Sequence, residues 1–223
     1  MTPGFFLASA PPSGAAREAY FERAVEAPEW VDVALSPAVT LRVSRDVVRG
    51  GGVRLPLWPS TAQRIADRFD AMLPTARLSD AIWRAGAVKV EPYPMTPRPG
   101  ASRDSNALLG EHDAIVNAAV AGRAGLIVGA KKDVIVGASV PRTPGKVFIY
   151  GWHRANGAPW QPVFGGHSSR YSDYSHGARL VSRTAMVHGV RTPIDSLFAN
   201  PATAALLSAT GPLGPSALRY PAA

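Results

Sequence analysis

The chain has 223 residues, 46% of them apolar, no cysteine and a formal net charge of +8. Without cysteine there is no disulfide, no thiolate nucleophile and no cysteine-ligated zinc. No apolar run approaches the ~20 residues of a membrane span, and the opening MTPGFFLASAPPSG has no basic residues before its apolar patch, so no signal peptide is read there.

The charge is unevenly placed. Residues 1–60 carry six basic and six acidic side chains, and residues 61–140 carry ten and eight. Residues 141–223 carry eight basic side chains against Asp173 and Asp195 alone, so six of the eight excess charges fall there. That bias favours an anionic small molecule, peptide or glycan as partner. The plainer account is a solvated basic surface.

In chain order, Ala15–Val25 carries Ala, Glu and Arg at helix-friendly positions, with Ser13 as a cap. Val39–Ser44 and Val53–Leu57 alternate like strands around Gly50-Gly51-Gly52. Ala62, Ile65, Ala66 and Phe69 fall at i, i+3, i+4 and i+7 of a helix, and Thr75 caps a second with Leu78, Ile82 and Ala85 inward. Residues 91–102 hold four prolines and read as an extended strap. A third helix starts at Asp104 or Ser105 and runs to about Val120, placing His112 on a packed face. Strands follow at 125–129, 133–137, 146–151 and 180–187, with Lys131-Lys132-Asp133 read as the turn between the first two, and Asn200 caps a last helix. The expectation is one α+β domain over 1–223, helices mainly in the N-terminal half and an antiparallel β-sheet mainly in the C-terminal half.

The stretch 150–180 concentrates chemistry. It holds His153, His167 and His176, two tryptophans, three tyrosines, four serines and Asp173, interspersed with Gly and Pro. A long aromatic loop in a compact domain is usually functional, and its aromatic content argues against disorder. Serine nucleophiles need a base and an orienting group, but no G-x-S-x-G elbow is present. The three histidines, 14 and 9 residues apart, match no zinc spacing, so neither metal nor cofactor is expected. The structural alternative is that Trp152, Trp160, Tyr171 and Tyr174 only pack the loop on a sheet.

Ser175-His176-Gly177-Ala178-Arg179-Leu180 is similar to the S-H-G-C-x-R-[LM] signature of L,D-transpeptidases, with Tyr150-Gly151-Trp152-His153 placed like that family's upstream histidine strand. Ala178 stands at the cysteine position and one residue is missing before Arg179. The resemblance implies a β-rich catalytic domain and a cell-wall substrate, with thioester chemistry excluded. The blocks AKKDVIV, VFIYGWH and YSDYSHGARLV also resemble those of a group of bacterial proteins.

The leading expectation is a bacterial hydrolase or acyl transferase acting on an amide or ester, cell-envelope material among the candidates, which favours an extracytoplasmic location. His176 is read as general base, with His153, Asp173 and Ser175 beside it. Arg179 is read as a carboxylate clamp, with Tyr174, Trp152, His167 and Tyr171 lining the substrate. The alternative is a non-catalytic carbohydrate- or polyanion-binding module built on the same aromatics and arginines. Nucleic-acid binding ranks last, since no recognised motif is present.

Overall fold

The computed structural model describes residues 2–221. The chain starts with two helices, α1 (Pro3–Ser9) and α2 (Gly14–Arg23), that pack through Phe6, Tyr20 and Phe21. Strands β1 (Trp30–Ser36) and β2 (Val39–Ser44) form a hairpin, followed by the short pair β3 (Arg49–Gly50) and β4 (Val53–Arg54). Helix α3 (Pro59–Arg68) begins with proline at its first position, where a missing N–H costs nothing. After β5 (Ala71–Met72) comes α4 (Ala76–Ala85), capped as expected by Thr75, whose hydroxyl accepts from Leu78 N–H at 3.2 Å. Strand β6 (Val88–Lys89) leads into the proline strap, which has no helix or strand from residue 91 to 102. Helix α5 (Asn106–Val120) is capped by Ser105.

The second half begins with β7 (Ile127–Val128), which pairs in parallel with β6, and β8 (Lys132–Val134). Lys132 and Asp133 therefore lie inside a strand, and the expected Lys131-Lys132-Asp133 turn is not formed. Strands β9 (Ile149–His153) and β10 (Pro159–Phe164) follow, then β11 (His176–Gly177), β12 (Val181–Val187) and β13 (Val190–Pro193). Helices α6 (Ile194–Ala199) and α7 (Pro201–Leu207) come last, with Asn200 capping α7 through Ala202 N–H.

The protein is α+β with mostly antiparallel sheets. Five of the seven helices among the described residues precede residue 122. The strands do not divide by halves in the same way. The larger sheet runs β1-β2-β12-β13, with β5 also on β12, so the hairpin of residues 30–44 joins the C-terminal half through β2. The second sheet runs β10-β9-β8-β11, antiparallel except for β8 and β11. One hydrophobic cluster extends from Phe6 through Leu41, Ile65 and Val134 to Tyr220, joining both ends of the chain. Among the described residues no helix is long and apolar enough to cross a membrane.

Candidate functional site

The β10-β9-β8-β11 sheet sorts the reactive side chains of the 150–180 stretch onto two faces. Lys132 sits opposite His176 of β11 and Gly151 of β9, whereas Asp133 sits opposite Gly177 and Tyr150. Strand side chains alternate between faces, so Lys132 and His176 share one side, and Asp133 and Tyr150 the other.

On the Lys132 side, His176 is fully enclosed beneath His167 and Tyr171, with ring centroids 6.0 and 5.6 Å away. His167 stacks on Tyr171 at 4.3 Å. Asp173 lies in the same cluster but turns its carboxylate elsewhere. One oxygen accepts from the Ser175 N–H (2.8 Å) and hydroxyl (2.6 Å), the other from the Tyr171 hydroxyl (2.9 Å). Those bonds and the nearby charge of His176 and Lys132 outweigh burial and hold Asp173 down at about 2. Neither nitrogen of His176 has a hydrogen-bond partner among the described residues, and desolvation lowers its pKa to about 4 although Asp173 opposes it. The expected His176–Asp173–Ser175 relay is therefore not assembled. Asp173 holds the turn that presents β11, and His176 is a neutral ring inside it.

Arg179 is also occupied otherwise than expected. Its guanidinium, 2% exposed, donates to the carbonyls of Ser44 (2.7 Å) and Ile127 (2.8 Å), tying β2 to β7. Its Nη atoms are thus committed to backbone, so they do not form the expected exposed carboxylate clamp. Tyr174 anchors the proline strap, accepting from Met95 N–H (2.6 Å) and donating to Met95 O (3.2 Å). Trp152 packs against Tyr174 and His112, with the Lys132 ammonium 5.2 Å from its ring. His112 is a packed histidine, as expected. Its Nδ1 lies 3.2 Å from the buried ammonium of Lys131, and burial with that charge pushes it down to about 2. Lys131 itself is lowered to about 7 by desolvation.

The other face joins a histidine to an acid. His153 Nε2 donates to Asp80 Oδ1 at 2.8 Å, and the Tyr150 hydroxyl donates to the same oxygen at 2.8 Å. The imidazole is buried and stacks on Trp83 at 5.4 Å. Asp80 and Trp83 come from α4, so this contact closes the helix over β9. Beside it lies a small cavity of about 10 Å³, lined by Ser79, Trp83, Lys131, Asp133, His153 and Arg179 among others. Two buried polar atoms of residues on its walls, Trp83 Nε1 and Arg179 Nε, have no hydrogen-bond partner among the described residues. Burial raises the pKa of Asp133, with the Arg179 charge and a hydrogen bond from the Ser79 hydroxyl opposing. Buried polar groups are seldom left unpaired. Two unpaired donors beside a space of this size suit a single oxygen atom.

Of the expected site residues, the structure places His153, Trp152 and Arg179 on the lining of this cavity, Trp152 also packing against Tyr174, and His176, Asp173, Ser175, His167, Tyr171 and Tyr174 on or towards the opposite face. Sequence reasoning missed Ser79, Asp80, Trp83 and Asp133. Only one of them carried a local signal. Ser79, three residues before Ile82, falls on the inward side of α4, an unusual place for a hydroxyl.

The chain matches no family model, no curated protein and no solved structure. Among the described residues no three His, Asp or Glu side chains are gathered to hold a metal ion.

Proposed function

We propose that the protein is a hydrolase or acyl transferase acting on an amide or ester, with His153 as general base and Asp80 as the residue that positions it. The observation that carries this reading is the 2.8 Å His153–Asp80 contact beside a cavity whose lining residues include two unpaired donors. With Nε2–H held by Asp80, Nδ1 is the nitrogen left to take a proton, and it has no partner among the described residues. A neutral imidazole fixed in one tautomer by a carboxylate is suited to deprotonate a water or hydroxyl near neutral pH. The donors Trp83 Nε1 and Arg179 Nε suit the oxygen that becomes negative when an acyl carbon is attacked. Their burial makes each such bond stronger than it is in water. A cell-envelope substrate, and with it an extracytoplasmic location, stays part of this proposal.

The test is hydrolysis of a panel of aryl esters, peptide amides and peptidoglycan fragments, followed by mass spectrometry. The wild type is expected to cleave at least one class, and His153→Ala to lower that rate by about 10²–10⁴-fold with the fold retained. A wild type inactive on the whole panel, or a His153→Ala variant with full rate, would overturn the proposal.

A second reading rests on a different observation. Trp160 (42% exposed) and Phe164 (41% exposed) stand out on β10, with Arg154 lying 4.5 Å over the Trp160 ring. An exposed aromatic strand edge beside cations suits a non-catalytic carbohydrate- or polyanion-binding module. Under that reading Trp160→Ala abolishes glycan retention while His153→Ala leaves it unchanged.

A further inference from the structure

The cavity beside His153 is small enough to limit what a reaction there can act on. At about 10 Å³ it has room for one water-sized atom. Its apolar wall consists of Ile82, Trp83, Val128 and Trp152. Sites for larger organic ligands are far roomier.

The wall is held from behind. The Trp83 ring stacks on His153 with centroids 5.4 Å apart, and the Lys89 ammonium lies 4.0 Å from the Trp83 centroid. A Cβ at residue 157 would stand 3.1 Å from that same ring, so the Gly157 turn packs closely on it. A Cβ at residue 86 would fall 2.2 Å from Val128 Cγ2, so the end of α4 presses on Val128. Ile82 and Val128 are each 2% exposed. Trp152 is held by Tyr174 and His112, whose ring centroids lie 6.5 and 6.0 Å away. Close-packed interiors resist expansion, and forcing extra methylenes into them is unfavourable.

We propose that the site takes only the smallest acyl groups, formyl and acetyl. The proposal rests on the hydrolase or acyl-transferase reading and narrows its substrates to formate and acetate esters or amides. The carbonyl oxygen occupies the cavity beside Trp83 and Arg179, and the acyl carbon stands at its mouth. A hydrogen or methyl on that carbon fits against the wall, whereas a longer chain must displace a pinned side chain. In hydrolysis a water oxygen bonds to the acyl carbon while His153 Nδ1 takes the water proton, and the carbonyl electron pair moves onto the enclosed oxygen. Return of that pair breaks the bond to the alcohol or amine, which leaves with the imidazolium proton, and formic or acetic acid remains.

Hydrolysis of para-nitrophenyl esters and para-nitroanilides of formic, acetic, butyric and octanoic acids tests this. In the wild type kcat/KM is expected to be highest for formyl or acetyl and to fall ~10-fold or more at butyryl, since a single methylene in a closed pocket has an effect of that order. Ile82→Ala opens the wall and is expected to raise the butyryl-to-acetyl ratio of kcat/KM by ~10-fold or more, a gain that loss of fold does not produce. Should Ile82→Ala not fold, Ile82→Val is a smaller cut in the same side chain and is expected to move the ratio in the same direction. A wild type that cleaves butyryl as fast as acetyl, or a folded Ile82 variant with an unchanged ratio, would overturn the acyl limit and leave the hydrolase reading standing. Turnover of no ester and no anilide would remove that reading, and the limit with it.

Discussion

His176 is an imidazole sealed in protein with neither nitrogen paired among the described residues, and that gives it a pH signature. Burial holds its folded pKa at about 4, below the ~6.5 of an exposed histidine. Between those values the unfolded chain binds more protons than the folded one. Its contribution to stability is therefore complete above pH ~6.5 and falls as the pH drops towards 4, by at most about 1.4 kcal/mol per pH unit. His112, lowered to about 2, acts with the same sign and continues to lower pH. Asp173 adds stability above the ordinary carboxylate pKa that is lost as pH falls towards 2. The histidine part of the downward shift in melting curves is thus expected to begin at about pH 6.5, before most carboxylates titrate and below the interval in which Lys131, lowered to about 7, acts with the same sign. His176→Leu is expected to flatten part of that slope, to cost little at pH 7 because no hydrogen bond is lost, and to leave turnover unchanged. A slope identical to the wild type would contradict the burial argument, and a lost activity would return His176 to the reacting centre. At this scale the sequence pointed to the stretch that holds His153. It did not reveal Asp80, which is 73 residues away and meets His153 only through folding.

Strand β9 is the element on which the proposed site depends. Gly151 has φ +94 and Trp152 φ +52, so the strand leaves ordinary extended geometry at two successive residues. That twist sends Trp152 under Tyr174 while His153 turns to Asp80. A bulky residue at positive φ is strained, and such strain is kept where the surroundings enforce it. A Cβ on residue 151 would stand 3.2 Å from His153 Cε1 and 3.4 Å from its Nδ1. Gly151→Ala is expected to cost roughly 1–3 kcal/mol for the backbone and to lower turnover up to ~10²-fold by shifting the imidazole. Gly189→Ala is the control, because that residue has φ +78 but nothing within 4 Å of the added carbon. Equal turnover in the two variants would remove the positioning role. The helices α2 to α5 and strand β2 were legible from residue preference and periodicity, and Thr75 and Ser105 cap α4 and α5 as expected, whereas Ser13 makes no capping bond to α2. Strand β10 was not, because Pro159 and Pro162 within it read as loop. It tolerates them as the edge of its sheet, where a missing N–H breaks no ladder on the open side. Strand β1 was missed because only Val33 among its seven residues is fully buried, so its alternation is weak.

At the scale of the whole molecule, the two halves of the chain are interleaved, and the last described residues close the arrangement. The Tyr220 hydroxyl accepts from Phe148 N–H at 2.9 Å and donates to the Ile135 carbonyl at 2.7 Å, while its own N–H donates to Gln63 at 3.1 Å. Tyr220→Phe strands a buried donor and a buried acceptor near β8 and β9. It is expected to lower unfolding free energy by about 2–4 kcal/mol in urea titrations, and an unchanged midpoint would show that the C-terminus does not hold these strands. Composition predicted a mixed α+β protein. It did not predict that residues 39–43 pair with 181–187, since such long-range register leaves no local pattern. The central claim concerns a pair that acts as one unit, which a double-mutant cycle measures directly. Turnover should be measured for His153→Ala, Asp80→Asn and the double variant, with melting temperatures on all three. If Asp80 works through His153, each single change lowers the rate and the double variant is no slower than His153→Ala alone. Rate losses that multiply in the double variant, or an Asp80→Asn variant as fast as the wild type, would contradict it.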